Sequence, residues 1–309
     1  MLDDDAADAK IELRGVSMSF SARRSAPATV AVENVSFEVR DREFVCLLGP
    51  SGCGKSTVLN LIAGFDRPTS GKILLEGRPV RRPGPDRGVV FQEPLLFPWL
   101  SVLENVTFGP RMHGDPPDEY LPKAARLIEQ VGLGGFERHR PYELSGGMKQ
   151  RTALARAWIG SPRVLLMDEP FAALDAQTRL MMQEQLVHLW EQTKTTVVFI
   201  THDVEEAILL ADRVLVMTSR PGRIKADIAV SLKRPRSYEQ LISSNSAAEL
   251  KRQIFHLVRE ETLKTMDRSP DGGRHPGATS SETGSVVPIT QANQISGGAA
   301  ERKASGRHH

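Results

Sequence analysis

Cysteine is almost absent from this 309-residue chain: there are two, Cys46 and Cys53. One falls in an apolar run read as a buried strand and the other in a glycine-rich loop. Their spacing matches no metal site, so a disulfide framework is excluded and a reducing compartment fits. Charge of one sign is also lacking, because a formal net charge of +2 is too small to point to nucleic acid or an acidic surface as partner. No stretch approaches the roughly 18 apolar residues that cross a bilayer. The longest apolar segments, such as Thr196-Val197-Val198-Phe199-Ile200, are strand-sized. Met1-Leu2-Asp3-Asp4-Asp5 is acidic where a secretory signal is basic and then apolar. If the protein serves a membrane, another chain is expected to cross it. Internal repeats are missing too, so the chain carries one copy of its working parts.

What is present is strand and helix in alternation. Ile11, Leu13 and Val16, then Val30, Val32, Val35, Phe37 and Val39, have the spacing of strands, with a turn-rich loop over Ser21–Thr29. Phe44–Leu48, Val164–Met167 and Val197–Ile200 are continuous apolar runs, the kind covered on both faces in parallel sheets. Helical patterns lie between them over Ser56–Gly64 and Leu180–Thr193. This predicts an α/β fold with a parallel-sheet core and an N-terminal antiparallel β subdomain. Residues from about 95 to 160 read as mostly helical, a subdomain inserted in the core. Short strands return over Val214–Met217 and Ile224–Val230; an amphipathic helix over 241–266 then carries Leu250, Ile254, Leu257 and Val258 on one face. The main domain is therefore expected over 10–240. Residues 1–9 and 267–309 are expected to be disordered; the second segment has no Phe, Trp or Tyr with which to offset its ordering entropy.

Two segments carry phosphate chemistry. Gly49-Pro50-Ser51-Gly52-Cys53-Gly54-Lys55-Ser56-Thr57 follows an apolar strand and precedes a helix, the context a P-loop requires. Its glycines let successive N–H groups turn inward at phosphates, and the helix adds its positive end. Lys55 is expected to reach the β- and γ-phosphates and the Ser56 hydroxyl to ligate Mg²⁺. A glycine-rich turn with a surface lysine is the plainer reading, which the strand–loop–helix context disfavours. The second segment is Val164-Leu165-Leu166-Met167-Asp168-Glu169-Pro170. A buried strand ending in two acids is costly unless the acids have partners. Asp168 is suited to the Mg²⁺ shell and Glu169 to polarising an attacking water.

P-loops serve many unrelated enzymes, so family membership rests on Leu144-Ser145-Gly146-Gly147-Met148-Lys149-Gln150-Arg151, which begins 24 residues before Asp168. It resembles the LSGGQ motif of ABC ATPases, with Met148 in place of the motif's glutamine. The resemblance covers about residues 10 to 240 and implies a P-loop NTPase that hydrolyses ATP. It further implies a head-to-tail homodimer, with ATP between one subunit's P-loop and Ser145, Gly146 and Gly147 of the other. Gln92 resembles that family's Q-loop glutamine, a Mg²⁺ and membrane-partner sensor. Asp175, in Ala173-Leu174-Asp175, resembles the D-loop residue that crosses the dimer interface, and His202 the switch histidine at the γ-phosphate. Phe20 matches the aromatic that stacks on adenine. Taken alone, Gln92, His202 and Phe20 read as structural residues; their place in the motif order turns that reading around.

Within the family, Phe91–Val106 and Arg234-Pro235-Arg236 resemble ATPase subunits of nitrate, sulfonate and taurine importers. The implied partners are integral-membrane permease subunits and, indirectly, a periplasmic or extracellular solute-binding protein, with no nucleic acid. The implied location is peripheral, on the cytoplasmic face of the inner membrane. Leu95–Leu100, with Phe97 and Trp99, is the candidate docking segment for a permease helix; otherwise both aromatics belong to the core. The alternative is a cytosolic ABC ATPase acting on nucleic acid or ribosomes. Against it stand the gap of about 90 residues between the P-loop and Ser145, without sustained heptads, and the single cassette.

Overall fold

The computed structural model describes residues 9–20 and 28–267. The disorder expected for 1–9 and 267–309 lies outside the described residues except at Ala9 and Asp267. Those two are ordered: Ala9 opens a strand and Asp267 closes a helix. Most of the loop expected over Ser21–Thr29 also lies outside them, and Thr29 already belongs to a strand.

Strands β1 (Ala9–Phe20) and β2 (Thr29–Arg40) pair antiparallel, with Val16 opposite Val35 and Phe20 opposite Thr29. Next come β3 (Phe44–Leu48), helix α1 (Lys55–Ala63), β4 (Ser70–Leu75), β5 (Arg78–Pro79) and β6 (Arg87–Val90). Four helices follow: α2 (Val102–Val106), α3 (Phe108–His113), α4 (Pro117–Gln130) and, after a 3₁₀ turn at Pro141–Glu143, α5 (Gly146–Trp158). The core then resumes with β7 (Val164–Asp168), α6 (Ala176–Thr193), β8 (Thr196–Thr201), α7 (Val204–Leu210), β9 (Arg213–Met217) and β10 (Ile224–Ala229). Helices α8 (Tyr238–Ser243) and α9 (Asn245–Asp267) end the described chain.

Among the described residues these strands form two sheets. One, ordered β2-β1-β4-β5, is antiparallel; the other is ordered β10-β9-β3-β8-β7-β6 and is parallel apart from β10. The antiparallel sheet is not purely N-terminal, because β4 and β5 enter it after α1.

Alternation along the central strands explains their continuous apolar runs. Phe44, Cys46 and Leu48 of β3, with Leu165 and Met167 of β7 and Val197 and Phe199 of β8, face one core cluster shared with α4, α5, α6, α7 and α9. Val45, Leu47, Val164, Leu166, Val198 and Ile200 face the other, shared with α1 and the antiparallel sheet. Successive side chains point to opposite faces, and both faces are covered, so apolar residues occupy both registers, with the buried polar Thr196 and Thr201 at the two ends of β8. Cys46 and Cys53 are both buried and free, and burial pushes both thiols up.

The helix expected over 241–266 is two helices. Ser244 ends α8 by bonding its N–H to the Gln240 carbonyl, and its Oγ accepts from the Ala247 N–H in the first turn of α9. Ile254 is buried, and Leu250, Leu257 and Val258 pack beside it against the core. The Arg234-Pro235-Arg236 stretch has a structural use as well. The buried Arg236 guanidinium donates to the carbonyls of Ile208, Leu209, Ala211 and Val230, closing the C-terminus of α7. Arg234 lies over the Trp190 ring at 4.2 Å and binds Asp212.

Candidate nucleotide site

Parallel pairing brings three strand ends together. Leu48 of β3 lies opposite Thr201 of β8, and Ile200 lies opposite Asp168 of β7. The residues just beyond these ends, Gly49–Gly54, Glu169 and His202, therefore share the carboxyl edge of the sheet, where open α/β sheets place their ligands.

The loop Gly49–Gly54 returns into α1 through Gly54, its N-cap, which has φ 103°. A Cβ there would meet Val32 Cγ1 at 2.6 Å, so both conformation and space require glycine. No side chain caps α1 and no acid stands in its first turn. Its first N–H groups are thus available to an anion. Lys55 is only 5% exposed, and its Nζ donates to the carbonyls of Gly49 (2.9 Å) and Pro50 (3.1 Å). Those bonds fold the side chain back across the mouth of its own loop, 3.9 Å from Glu169 Oε1.

Ser56 Oγ donates to Asp168 Oδ1 at 3.1 Å. Burial pushes the Asp168 carboxyl up, and the charge of Glu169 adds to the rise, while the Ser56 bond and Lys55 oppose it. Glu169 has φ 43°, a left-handed turn that a glutamate adopts rarely. Its Oε2 lies 3.0 Å from His202 Nδ1. Asp203 follows as N-cap of α7, accepting from the N–H groups of Glu205 and Glu206, and so fixes the loop that carries His202.

The structure thus brings Lys55, Ser56, Asp168, Glu169 and His202 into one cluster. Pro50, Ser51, Gly52, Cys53 and Thr57 lie on the same loop and first helical turn. Gln92 lies two residues beyond β6, which pairs with β7 through Val90 and Met167. It is exposed, and no hydrogen bond among the described residues joins it to the cluster. Phe20, the last residue of β1, is 45% exposed.

The other expected residues gather elsewhere. Ser145 is the N-cap of α5, accepting from the Met148 N–H at 3.3 Å, and Asp175 is the N-cap of α6, accepting from the Thr178 N–H at 3.0 Å. That bond holds the Asp175 carboxyl below its ordinary value. Thr178 also links the two motifs, since a Cβ on Gly147 would stand 2.8 Å from its Cγ2. Ser145 and Gly146 are exposed, with open space around Gly146. None of these four residues bonds to the Lys55 cluster among the described residues.

Several contacts had no signal in the sequence. Buried Asn105 accepts from the Phe97 N–H and donates to the carbonyls of Phe97, Leu100 and Ser101. Arg156 donates to the carbonyls of Pro94 and Leu95 and lies over the Phe97 ring. Together they shape the 94–101 strap, turning Phe97 inward against Phe108 (4.3 Å between ring centres) and leaving Trp99 64% exposed. The two rings still touch, with 5.6 Å between their centres, but Phe97 also packs inward on Phe108 whereas Trp99 has its outer face in solvent. Gly222 is the other unsignalled residue, a close neighbour of the Cys53 carbonyl. The one pattern that could have been read is Asp203 ahead of Glu205 and Glu206, a helix start.

A strand, a glycine-turned loop, a lysine at its mouth, and a serine in the first turn of the following helix bonded to an aspartate at a strand end define a P-loop nucleoside triphosphatase. Comparison with known proteins narrows the class. The family profile described as ABC transporter matches residues 32–172. An uncharacterized ABC transporter ATP-binding protein of Methanocaldococcus jannaschii is 50% identical over 236 residues, 76% of this chain and 87% of that protein. A taurine import ATP-binding protein of Burkholderia pseudomallei is also 50% identical over 236 residues, 76% of this chain and 90% of that protein. Among solved structures, a dimeric post-hydrolysis state of an ATP-binding cassette bound to ADP and Pi superposes with a TM-score of 0.63 at 31% identity, covering 72% of this chain and 100% of that one. The chain belongs to the ABC transporter ATP-binding family, and its activity is ATP hydrolysis.

Proposed function

We propose that this chain powers import of a small solute, an anion of the nitrate, sulfonate or taurine kind, through separate permease subunits fed by a solute-binding protein. It works as a homodimer, peripheral to the cytoplasmic face of the inner membrane. The relatives named as taurine import proteins support import over the nucleic-acid or ribosome alternative. No helix among the described residues is long and apolar enough to cross a membrane, so the spanning part of such a machine would be other chains.

One observation carries the dimer. Ser145 and Gly146 are exposed at the N-terminus of α5, with Gly147 buried beside Thr178, whose N–H bonds Asp175, and no hydrogen bond among the described residues joins them to the chain's own Lys55 cluster. A second phosphate cradle facing away from the first is put to use when a twin molecule supplies the other half. Phe20 is assigned to the adenine. Within the Lys55 half, Lys55 and the loop N–H groups hold the phosphates. Glu169 orients water, and His202, bonded to Glu169, fixes its direction and meets the γ-phosphate. Catalysis of this kind is positioning and electrostatics.

Ser56 and Asp168 are an oxygen pair of the hard type Mg²⁺ selects, and a nearby cation would offset the partial burial that raises the Asp168 carboxyl. Among the described residues no group of three acids, histidines or cysteines could hold a metal alone. The nucleotide's own phosphates would complete the shell, with Gln92 as the remaining protein ligand. When bound, Mg²⁺ supplies charge neutralisation at the phosphates.

The permease is assigned to the strap Leu95–Leu100, with Trp99 outward, and to the adjoining groove of about 970 Å³ lined by Val80, Val89, Pro110, Met112, Arg156 and Ile159. Arg156 belongs to both. The deciding experiment is Glu169→Gln with magnesium-ATP, followed by light scattering. It is expected to bind ATP and accumulate as a closed dimer, with turnover reduced about 10²–10³-fold. A strictly monomeric protein at high concentration sinks the proposal.

A further inference from the structure

Helix α9 is joined to the phosphate loop by a run of contacts that the chemistry of the site does not use. Near its end Glu261 is buried, with a side chain only 1% exposed. A carboxylate in that position is costly without partners, and both of its oxygens have them. Oε2 accepts from the N–H (3.0 Å) and hydroxyl (3.4 Å) of Ser219, and Oε1 from Lys225 Nζ (2.8 Å) and Lys264 Nζ (2.7 Å). Lys225 is itself tied to α9 through the Leu257 carbonyl and Glu260. Burial works to raise the Glu261 pKa, but the bonds from Lys225, Lys264 and Ser219 outweigh it and hold it at about 2.

Ser219 stands in the turn between β9 and β10, which is closed by its own bonds. The Thr218 N–H donates to the Arg223 carbonyl, while its hydroxyl donates to the Pro221 carbonyl and accepts from the Arg223 N–H, each at 2.9 Å. Gly222 at the tip bonds β2 in both directions, donating to the Ala31 carbonyl and accepting from the Glu33 N–H, each at 2.9 Å. Its free face meets the phosphate loop. A Cβ added to Gly222 would lie 2.0 Å from the Cys53 carbonyl oxygen, backbone against backbone. Cys53 immediately precedes the N-cap of α1, and Lys55 follows two residues later.

We infer that Glu261 is a positioning residue for the phosphate loop: by pinning the Ser219–Gly222 turn it holds the Cys53 backbone, and so sets how tightly the loop grips nucleotide phosphates without touching them. Helix α9 is then a handle through which events at its end alter ATP affinity. This rests on Gly49–Thr57 being the nucleotide cradle.

The test is ATPase kinetics of the full-length chain. Glu261→Gln keeps the shape of the side chain and removes its charge. It should raise KM for ATP about tenfold, equivalent to roughly 1.4 kcal/mol of binding, with kcat within about twofold. Gly222→Ala, at the other end of the same path, should raise KM similarly. Because both act through one contact, the double variant should be no worse than the weaker-binding single. A lowered melting temperature with unchanged KM reduces Glu261 to a staple for α9 and overturns the inference; so do additive effects, or a fall confined to kcat. If Glu261→Gln does not fold, Lys225→Met decides, with a KM rise of about threefold expected and an unchanged KM fatal. Lys55→Ala separates the two readings. Retained ATP binding in that variant removes the cradle itself, whereas lost binding there beside a normal Glu261→Gln removes the brace alone.

Discussion

The Lys55 loop and the Ser145 loop, the two halves of the proposed composite site, both open into helices, yet they are finished differently. Lys55 is buried and bonded to its own loop, Ser56 is bonded to Asp168, and Glu169 to His202. Ser145 and Asp175 cap their helices and stop there, with open space beyond Gly146. The first half is braced from behind by Gly222 and the turn that carries it, and the second is held by Gly147 against Thr178 and by Leu144 and Met148 in the core. A loop that must hold charge against water is built into the sheet edge. In the dimer proposed above, the loop that meets and leaves a partner sits on helix ends, where docking disturbs no internal bond.

The largest effect should come from mixing subunits. Lys55→Ala and Ser145→Arg should each lower turnover about 10²–10³-fold. Their mixture should recover part of the activity, because a mixed pair restores one intact composite site. No recovery in the mixture would break the contrast, since it would mean that each chain completes its own site.

The closed and open sides should also differ in stability. Asn105→Ala removes the partner of a buried N–H and several carbonyls of the strap, and should lower the unfolding free energy by about 1–3 kcal/mol in a denaturant titration. Trp99→Ala, on the open face of the same strap, should change it by less than about 0.5 kcal/mol. It should spare ATPase activity in the isolated subunit while lowering transport in the assembled complex. Equal destabilisation by both would return Trp99 to the core.

The smallest effect sharpens the contrast by acid. Glu261 is held at about 2 against an ordinary 4.5. A carboxyl whose folded value is depressed contributes stability that is complete above its unfolded value and is lost as pH falls toward the folded one. The melting temperature should therefore drop between about pH 4.5 and pH 2, less steeply in Glu261→Gln than in the parent chain. Identical slopes would remove Glu261 from the stability of the braced side.

The residues that gather at the sheet edge were legible because each follows an apolar run. Gly49, Glu169 and His202 come directly after β3, β7 and β8, with Asp168 the last residue of β7, and the parallel sheet gathers these C-terminal ends along one edge. Ser145 and Asp175 were legible through family resemblance alone, and that each caps a helix is a finding of the structure. The brace was not. Glu261 is 42 positions from Ser219, and Asn105 and Arg156 act on backbone carbonyls, which leave no pattern in a sequence. The split between α8 and α9 was missed because the apolar face of α9 continues the periodicity across Ser244. Arg236 is legible only as part of a family stretch, whereas its guanidinium, three nitrogens with five N–H donors, caps a helix.

By itself the sequence determined the class of fold, the position of the phosphate loop, and the acids and histidine beside it. Those follow from local rules: apolar runs buried on two faces, glycines where a loop must turn, and polar residues at strand ends. Tertiary structure alone decided which of two neighbouring aromatics faces solvent, which glycine touches the loop from behind, and which glutamate anchors it. Each of those depends on distances between segments remote in the chain, set only when both sides of the sheet are packed.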